Sequence, residues 1–235
     1  MTIINYRKYN DIDVYFSEYN YIFRGTTYDR FKKGRIQCPY EPRTWGKGYL
    51  GVGEYRKTIN DIKTEQYNYW RMMLERCYSE KYHIKHPTYQ KCVVCEEWLD
   101  FQNFARWYDN NYYQVDNETM CLDKDILNKG NKIYSPNTCV FVPERINALF
   151  TKCDKTRGDY PIGVYYNKTA NKYIARCSTI NGRKHLGCFE TPNDAFIVYK
   201  NFKERYVKQM AFEYQEKIPN KLFNALYNYE VDVDD

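Results

Sequence analysis

The reading of this chain turns on the stretch Cys121-Leu-Asp-Lys-Asp-Ile-Leu-Asn-Lys-Gly-Asn-Lys-Ile-Tyr-Ser-Pro-Asn-Thr-Cys-Val-Phe-Val-Pro-Glu-Arg-Ile-Asn-Ala-Leu-Phe150. Its first residues, ending at Asp123, read as a strand that runs into a polar loop containing Gly130. Cys139-Val-Phe-Val142 reads as a second strand. Pro143 sits where a helix can begin, because its fixed φ suits a first turn and its missing N–H would find no partner there. Glu144 to Lys152 then makes a short helix. The order strand, loop, strand, helix predicts a ββα unit. Such a unit can hold one divalent cation against a phosphate. It needs an oxygen ligand at the end of the first strand, another on the helix, and a base beside the first ligand to activate water. Asp123 and Asn147 stand at the two ligand positions, and Asn137 lies in the loop between them.

Upstream, Tyr67, Trp70, Met73, Leu74 and Cys77 recur at helical spacing, with Arg71, Glu75 and Arg76 mostly on the other face. Trp98, Phe101, Phe104, Ala105 and Tyr108 predict a second amphipathic helix, with Asp100 as its N-cap. His86-Pro87 separates the two. Most of these aromatics are expected to be core, since an amphipathic helix must bury one stripe.

Taken together, residues 65–152 resemble the HNH endonuclease family, in particular its phage and homing-type members. The resemblance includes the segments Tyr69-Trp-Arg-Met-Met-Leu-Glu-Arg-Cys77 and Trp98-Leu-Asp-Phe-Gln-Asn-Phe104. It implies that Asp123 is the first metal ligand, that Asn137 positions the loop, and that Asn147 is the helical ligand. It also implies Mg²⁺ or Mn²⁺ as the ion and phosphodiester hydrolysis in double-stranded DNA as the reaction. One residue departs from the pattern. Where the family places its general-base His, this chain has Lys124, and a protonated lysine cannot accept a proton. Asp125 is the neighbouring substitute, and His83 or His86 could reach in from upstream. The same unit without cleavage would be a DNA-binding scaffold.

Cys92-Val-Val-Cys95 has the spacing of a zinc knuckle, and a structural Zn²⁺ needs four ligands. Cys121, Cys139 and Cys153 are the remaining candidates, but none forms a second Cys-x-x-Cys pair. Val93-Val94 reads equally as a buried strand with the thiols as small apolar groups. Cys77, Cys177 and Cys188 read as core or strand residues.

Downstream, Gly163-Val-Tyr-Tyr166, Lys172-Tyr-Ile-Ala-Arg-Cys177 and Arg183-Lys-His-Leu-Gly-Cys-Phe189 predict three strands. Asn181-Gly182 marks a hairpin between the last two. Thr191-Pro-Asn-Asp194 opens a long helix, with Thr191 as N-cap and Pro192 in the first turn. The pattern Gly163-Val, Tyr173-x-Ala, Leu186-Gly-x-Phe-x-Thr191 and Ala195 to Tyr199 resembles the integrase-type DNA-binding domain of ethylene-response factors, with Tyr173 where that family has Trp. In that family the sheet faces the DNA major groove, which implies contacts from Tyr165, Lys168, Lys172, Tyr173, Arg176, Arg183, Lys184 and His185. The bland alternative is a solvated basic sheet face.

Residues 1–55 read as a small β module and a linker. Ile12–Phe16, Tyr21–Arg24 and Phe31–Ile36 are its strand candidates, followed by a segment crowded with Pro39, Pro42, Gly46, Gly48, Gly51 and Gly53. Arg24, Arg30, Lys32, Lys33 and Arg35 make the module basic. The expected class is therefore α+β in three segments. These are the β module and linker (1–55), the ββα-metal unit with flanking helices (56–155), and the three-stranded sheet with its long helix and an acidic, frayed tail (156–235).

Composition bounds the rest. The chain has 235 residues, 36 Lys+Arg against 30 Asp+Glu, and a formal charge of +6, which permits a polyanion partner without demanding one. No stretch approaches the roughly 18 consecutive apolar residues of a membrane-spanning helix, so no membrane partner is expected. Met1 to Lys8 has no long apolar core, so no signal peptide is expected. Nine cysteines, an odd number, argue for reduced thiols in a cytosol rather than a disulfide framework, and the phage resemblance implies that this is the bacterial host cytoplasm. No small-molecule cofactor is expected. Aromatic residues make up 18%, with 27 tyrosines. Much of that excess is what AT-rich coding produces, but tyrosine also suits wet interfaces and base stacking. Two rivals to a nuclease follow: a non-catalytic DNA-binding protein, and a phage protein whose aromatic surface binds a host protein.

Overall fold

The computed structural model describes residues 1–150 and 160–233. The fold is α+β, with seven α-helices and twelve strands among the described residues. No described helix is long and apolar enough to cross a membrane. The chain forms two compact units, Met1–Asn110 with Lys132–Pro136, and Asn111–Asn131 with Asn137–Asp235. The predicted central segment is thus shared: its two amphipathic helices lie in the first unit, and its hairpin lies in the second.

The first unit opens with an antiparallel sheet of β1 (Thr2–Lys8), β2 (Asp11–Phe16) and β3 (Tyr21–Thr26), in that order. Ile12, Val14 and Ile36 form its core, flanked by Ile3, Phe16, Phe23, Tyr28 and Phe31. The expected third strand, Phe31–Ile36, is not one. Thr27 instead caps a helix α1 (Tyr28–Lys32), its hydroxyl accepting from Arg30 N at 3.2 Å, and Phe31 reaches the core from that helix. The sheet is completed by β1, which the sequence reading did not foresee.

On the opposite face Asp13 is buried and receives both Arg7 Nη1 (2.9 Å) and Nη2 (2.7 Å), and Gly25 N donates to it at 3.1 Å. The Arg7 guanidinium holds the Asp13 carboxyl well below the usual carboxylate range. A carboxyl lowered in the folded state stabilises at every pH above its unfolded value of about 3.9, and that contribution disappears as the pH falls toward the folded value. Protection of the Gly25 amide against hydrogen exchange is therefore expected to weaken below about pH 4. Asp13→Asn should flatten that dependence and lower protection at neutral pH; an unchanged profile would show that Asp13 is not responsible.

A two-residue hairpin, β4 (Thr58–Ile59) and β5 (Ile62–Lys63), turns at Asn60 and Asp61 with φ of 49° and 62°. These are the two left-handed positions of a type I′ turn. Thr64 then caps α2 (Glu65–Tyr78), which buries Trp70, Met73, Leu74 and Cys77. Ser79 ends α2 and caps α3 (Glu80–Lys85), its hydroxyl accepting from Tyr82 N at 3.3 Å. β6 (Val93–Val94) pairs in parallel with β8 (Ile133–Tyr134). Asp100 caps α4 (Phe101–Asn111) as expected, accepting from Gln102 N at 2.8 Å.

The Trp70 indole donates to the Trp98 carbonyl at 2.7 Å, and its ring packs on Tyr67 and Phe101. The connector passes so close to α2 that a Cβ at Gly48 would lie 2.4 Å from Leu74 and 2.7 Å from Trp70. Gln102, buried on α4, accepts from Tyr55 N and donates to the carbonyls of Leu50 and Tyr55. One carboxamide thereby satisfies three backbone groups of a segment that has no regular structure of its own.

In the second unit β7 (Met120–Asp123) and β9 (Val140–Pro143) pair antiparallel, Asp123 opposite Val140 and Met120 opposite Pro143. Helix α5 (Glu144–Asn147) follows, and a 3-10 turn continues it through Ala148–Phe150. Lys152, the expected helix end, lies outside the described residues. A sheet of β10 (Val164–Asn167), β11 (Lys172–Thr179) and β12 (Gly182–Phe189) comes next, all antiparallel. Thr191 caps the long α6 (Pro192–Glu213), accepting from Asp194 N at 3.2 Å, and α7 (Asn220–Tyr227) packs on α6. The core between sheet and helix holds Val164, Ala175, Cys177, Ala195, Phe196, Tyr199 and Val231. Gly163, at φ 80°, lets the chain enter β10 against Tyr199, where a Cβ would fall 2.1 Å from the ring.

The acidic tail does not fray at its start. Val231 is buried, its N–H donates to Glu204 and its carbonyl accepts from Lys200.

Candidate functional site

Asp123 closes β7, so the pleat and the β9 pairing fix where its carboxylate emerges. One oxygen, Oδ1, accepts from the N–H groups of Asp125 (2.9 Å) and Ile126 (2.7 Å) and shapes the loop that follows. The other oxygen makes no hydrogen bond among the described residues. Burial and the neighbouring Asp125 carboxylate push the Asp123 carboxyl up, against the pull of those two N–H donors. A carboxylate disfavoured in this way gains from a cation at its open oxygen.

Helix α5 packs against both strands of the hairpin and carries Asn147, partly buried, whose carboxamide makes no hydrogen bond among the described residues. Asp123 and Asn147 offer hard oxygen donors, one anionic and one neutral. Two protein ligands are a sparse set, and that suits Mg²⁺ or Mn²⁺, since Mg²⁺ in particular keeps several waters and takes phosphate oxygens beside one or two carboxylates. Their donor chemistry is that of a Mg²⁺ or Mn²⁺ ligand pair.

Lys124, at the position of the family's His, is buried, and its ammonium lies 3.1 Å from Asp125 Oδ2. The carboxylate beside Asp123 is thus neutralised from within the loop. Asn137 is exposed and makes no hydrogen bond among the described residues. The loop is tied instead by Asn131, whose side-chain amide donates to the Lys124 carbonyl at 2.7 Å. Asn131 directly follows Gly130, whose φ of 80° turns the loop back toward Lys124, and that Gly-Asn pair was the available signal for the tether. Neither upstream histidine belongs to this hairpin. In the first unit, His83 bonds the Arg76 carbonyl at 2.9 Å and the His86 ring lies on Tyr82.

Cys92 and Cys95 flank β6. The Cys92 thiol is buried against the Thr88 carbonyl at 3.8 Å, and burial pushes the Cys95 thiol up. Among the described residues, no group of three or more His, Cys, Asp or Glu side chains is gathered to hold a metal ion. Cys153 lies outside them.

The β10–β12 sheet sorts the expected DNA contacts into two sets. On β11, alternate residues Tyr173, Ala175 and Cys177 join the cluster under α6. Lys172, Arg176 and Ser178 occupy the other face. Cross-strand pairing brings Tyr165 opposite Ile174, His185 opposite Arg176, and Arg183 opposite Ser178 on that outer face. There the Arg176 guanidinium donates to the Tyr165 hydroxyl at 2.7 Å and lies 4.9 Å over its ring. Lys172 pairs with Glu190 at 2.6 Å. Arg183 makes no ion pair among the described residues. Lys168 is exposed in the β10–β11 turn.

Two expected contacts fall elsewhere. Tyr173 packs on Tyr160 and Tyr166 in the helix-side cluster. Lys184 lies opposite Cys177, with its ammonium 5.0 Å over the Phe202 ring of α6. Its aliphatic stem covers apolar surface there. The outer face thus gathers Tyr165, Lys172, Arg176, Arg183 and His185, with Lys168 at its edge.

No family model, curated protein or solved structure matches the chain.

Proposed function

We propose that the protein is a metal-dependent DNA endonuclease that binds duplex DNA through the outer face of the β10–β12 sheet. The observation that carries the cleavage reading is the hairpin itself: Asp123 ends the first strand with one oxygen open, and α5, with its unbonded Asn147, packs on both strands. Asp123 and Asn147 would hold the ion, which when bound supplies Lewis-acid stabilisation of the phosphate and the leaving oxygen. Asn131 and the Asp123 Oδ1 contacts keep the loop in place. Asp125 accepts the proton of the attacking water. The Lys124 ammonium, buried beside Asp125, pairs with that carboxylate rather than acting as base.

The supporting experiment is plasmid nicking with Mg²⁺ or Mn²⁺, comparing the wild type with Asp123 and Asn147 variants. Absence of metal-dependent cleavage on any DNA would favour the second reading, a DNA-binding protein without catalysis. The buried Lys124–Asp125 pair in place of a histidine supports that second reading.

Binding to DNA makes its own prediction. Arg176→Ala should weaken duplex affinity by about tenfold, and affinity should fall steeply with salt concentration, since each neutralised phosphate releases a counterion. Titrations at several salt concentrations measure both. Salt-insensitive binding would remove the duplex-binding assignment of this face.

A further inference from the structure

The positive charge of residues 1–36 is unevenly placed. On the outer face of the first sheet, Arg7 is held by Asp11 and Asp13, and Arg24 lies 3.8 Å from Asp13, so those four charges cancel locally. The remaining cations are Lys8, at the end of β1, and Arg30, Lys32, Lys33 and Arg35, on or just after α1. Lys33 is paired with Asp29 at 2.8 Å. Lys8, Arg30, Lys32 and Arg35 are exposed and make no ion pair among the described residues.

The β1–β2 turn and α1 adjoin, since Tyr28 N donates to the Tyr9 carbonyl at 2.8 Å. The Tyr28 ring lies 6.0 Å from both the Tyr6 and Tyr9 rings and stacks on Phe31 at 6.3 Å. Phe31 anchors that group to the core, while Tyr6 and Tyr9 remain 55% and 58% exposed. These two rings have open surface and a supported position, Lys8 lies between them in the chain, and Arg30 and Lys32 stand on the helix that carries Tyr28.

We propose that Tyr6, Tyr9 and Tyr28, with Lys8, Arg30 and Lys32, form a binding surface for single-stranded DNA. Rings can stack on bases only where the bases are unpaired, and a duplex hides its base faces. The cations supply the phosphate attraction that such a strand requires. This surface does not depend on cleavage, nor on duplex binding by the β10–β12 sheet.

The test uses the full chain and a fluorescent oligo-dT of about 20 nucleotides, long enough for a stacking groove. Tyr6→Ala/Tyr9→Ala should weaken oligo-dT binding by about tenfold or more, as expected for two lost stacking contacts, and leave duplex binding within about twofold. Tyr6→Phe/Tyr9→Phe, which keeps the rings, should retain binding. Arg30→Glu/Lys32→Glu should weaken oligo-dT binding and reduce its salt dependence. An oligonucleotide bearing 5-iodouracil should crosslink, on irradiation, to Tyr6 or Tyr9 of the wild type, a readout that needs no variant to fold. Failure of the wild type to bind oligo-dT would overturn the proposal. So would unchanged affinity in the alanine pair, or crosslinks confined to residues 160–190. Loss of duplex binding in Arg176→Ala with oligo-dT binding intact would support two separate surfaces.

Discussion

Asp123→Asn is expected to lower metal-dependent DNA nicking by roughly a hundredfold or more, since even residues that only orient metal ligands cost 10- to 100-fold when removed. Asparagine is the informative substitution. Asp123 does two things: one oxygen accepts the N–H groups of Asp125 and Ile126, and the other is open. Alanine removes both roles and loosens the loop, so a loss of activity could reflect either. Asparagine keeps an acceptor for the two N–H groups and removes the charge that would attract the proposed ion. Thermal melting should change little in Asp123→Asn and fall in Asp123→Ala, while both lose nicking. Asn147→Ala should also lose nicking. Its carboxamide makes no hydrogen bond among the described residues, so its stability should stay within about 0.5 kcal/mol of wild type. Duplex affinity should be retained in all three, because neither residue belongs to the outer face of the β10–β12 sheet. Full activity in Asp123→Asn would remove the hairpin from any role in cleavage.

The second large effect concerns stability. Trp70→Ala should destabilise the protein by roughly 3–5 kcal/mol, the range for a fully buried large aromatic. Trp70 is 0% exposed, packs on Tyr67 and Phe101, and donates to the Trp98 carbonyl. The connector at Gly48 already touches the indole, so the space left behind is roofed by backbone that has little freedom to collapse. Trp70→Phe should cost less, about 1–3 kcal/mol, most of it from the unmet Trp98 carbonyl. Urea unfolding followed by circular dichroism measures both. Equal midpoints for Trp70→Ala and wild type would mean that this cluster does not hold the unit together.

Much of the second unit was legible in the sequence because its signals are local. Thr191-Pro192 and Asp194 specify a cap, Asn181-Gly182 a hairpin, and β7 and β9 are short apolar runs at either end of a polar loop. What escaped was non-local or lacked a buried face. β1 shows almost no alternation because only Ile3 among its residues is partly buried, so period-two burial leaves no trace. β8 has two residues, and its partner β6 lies some forty positions upstream, a pairing that no local pattern encodes. The facing of Lys184 was hidden for another reason. The β11–β12 ladder shifts between Ala175 and Arg176, and Leu186 is the extra residue, so counting alternate positions back from Phe189 places Lys184 on the wrong face. Within the candidate site, Asp123 was placed at a strand end and Asn147 inside the following helix, which is where the structure has them. Asn131 was missed because a tether across a loop depends on the loop's path, which composition does not reveal.

The Gln102 carboxamide has a practical consequence. Residues 50–55 have no ladder or helix of their own; α4 answers the backbone of Leu50 and Tyr55 through that one side chain, while the Gly51 N–H donates to the Pro39 carbonyl. A protease needs an extended, released segment to cut, and the Tyr55 end of this segment is held by α4. The rate of cleavage near Tyr55 should therefore track the opening free energy of α4 while reclosing outpaces cutting. Gln102→Glu, which retains the shape and loses both donors, should turn the connector into the first site of digestion.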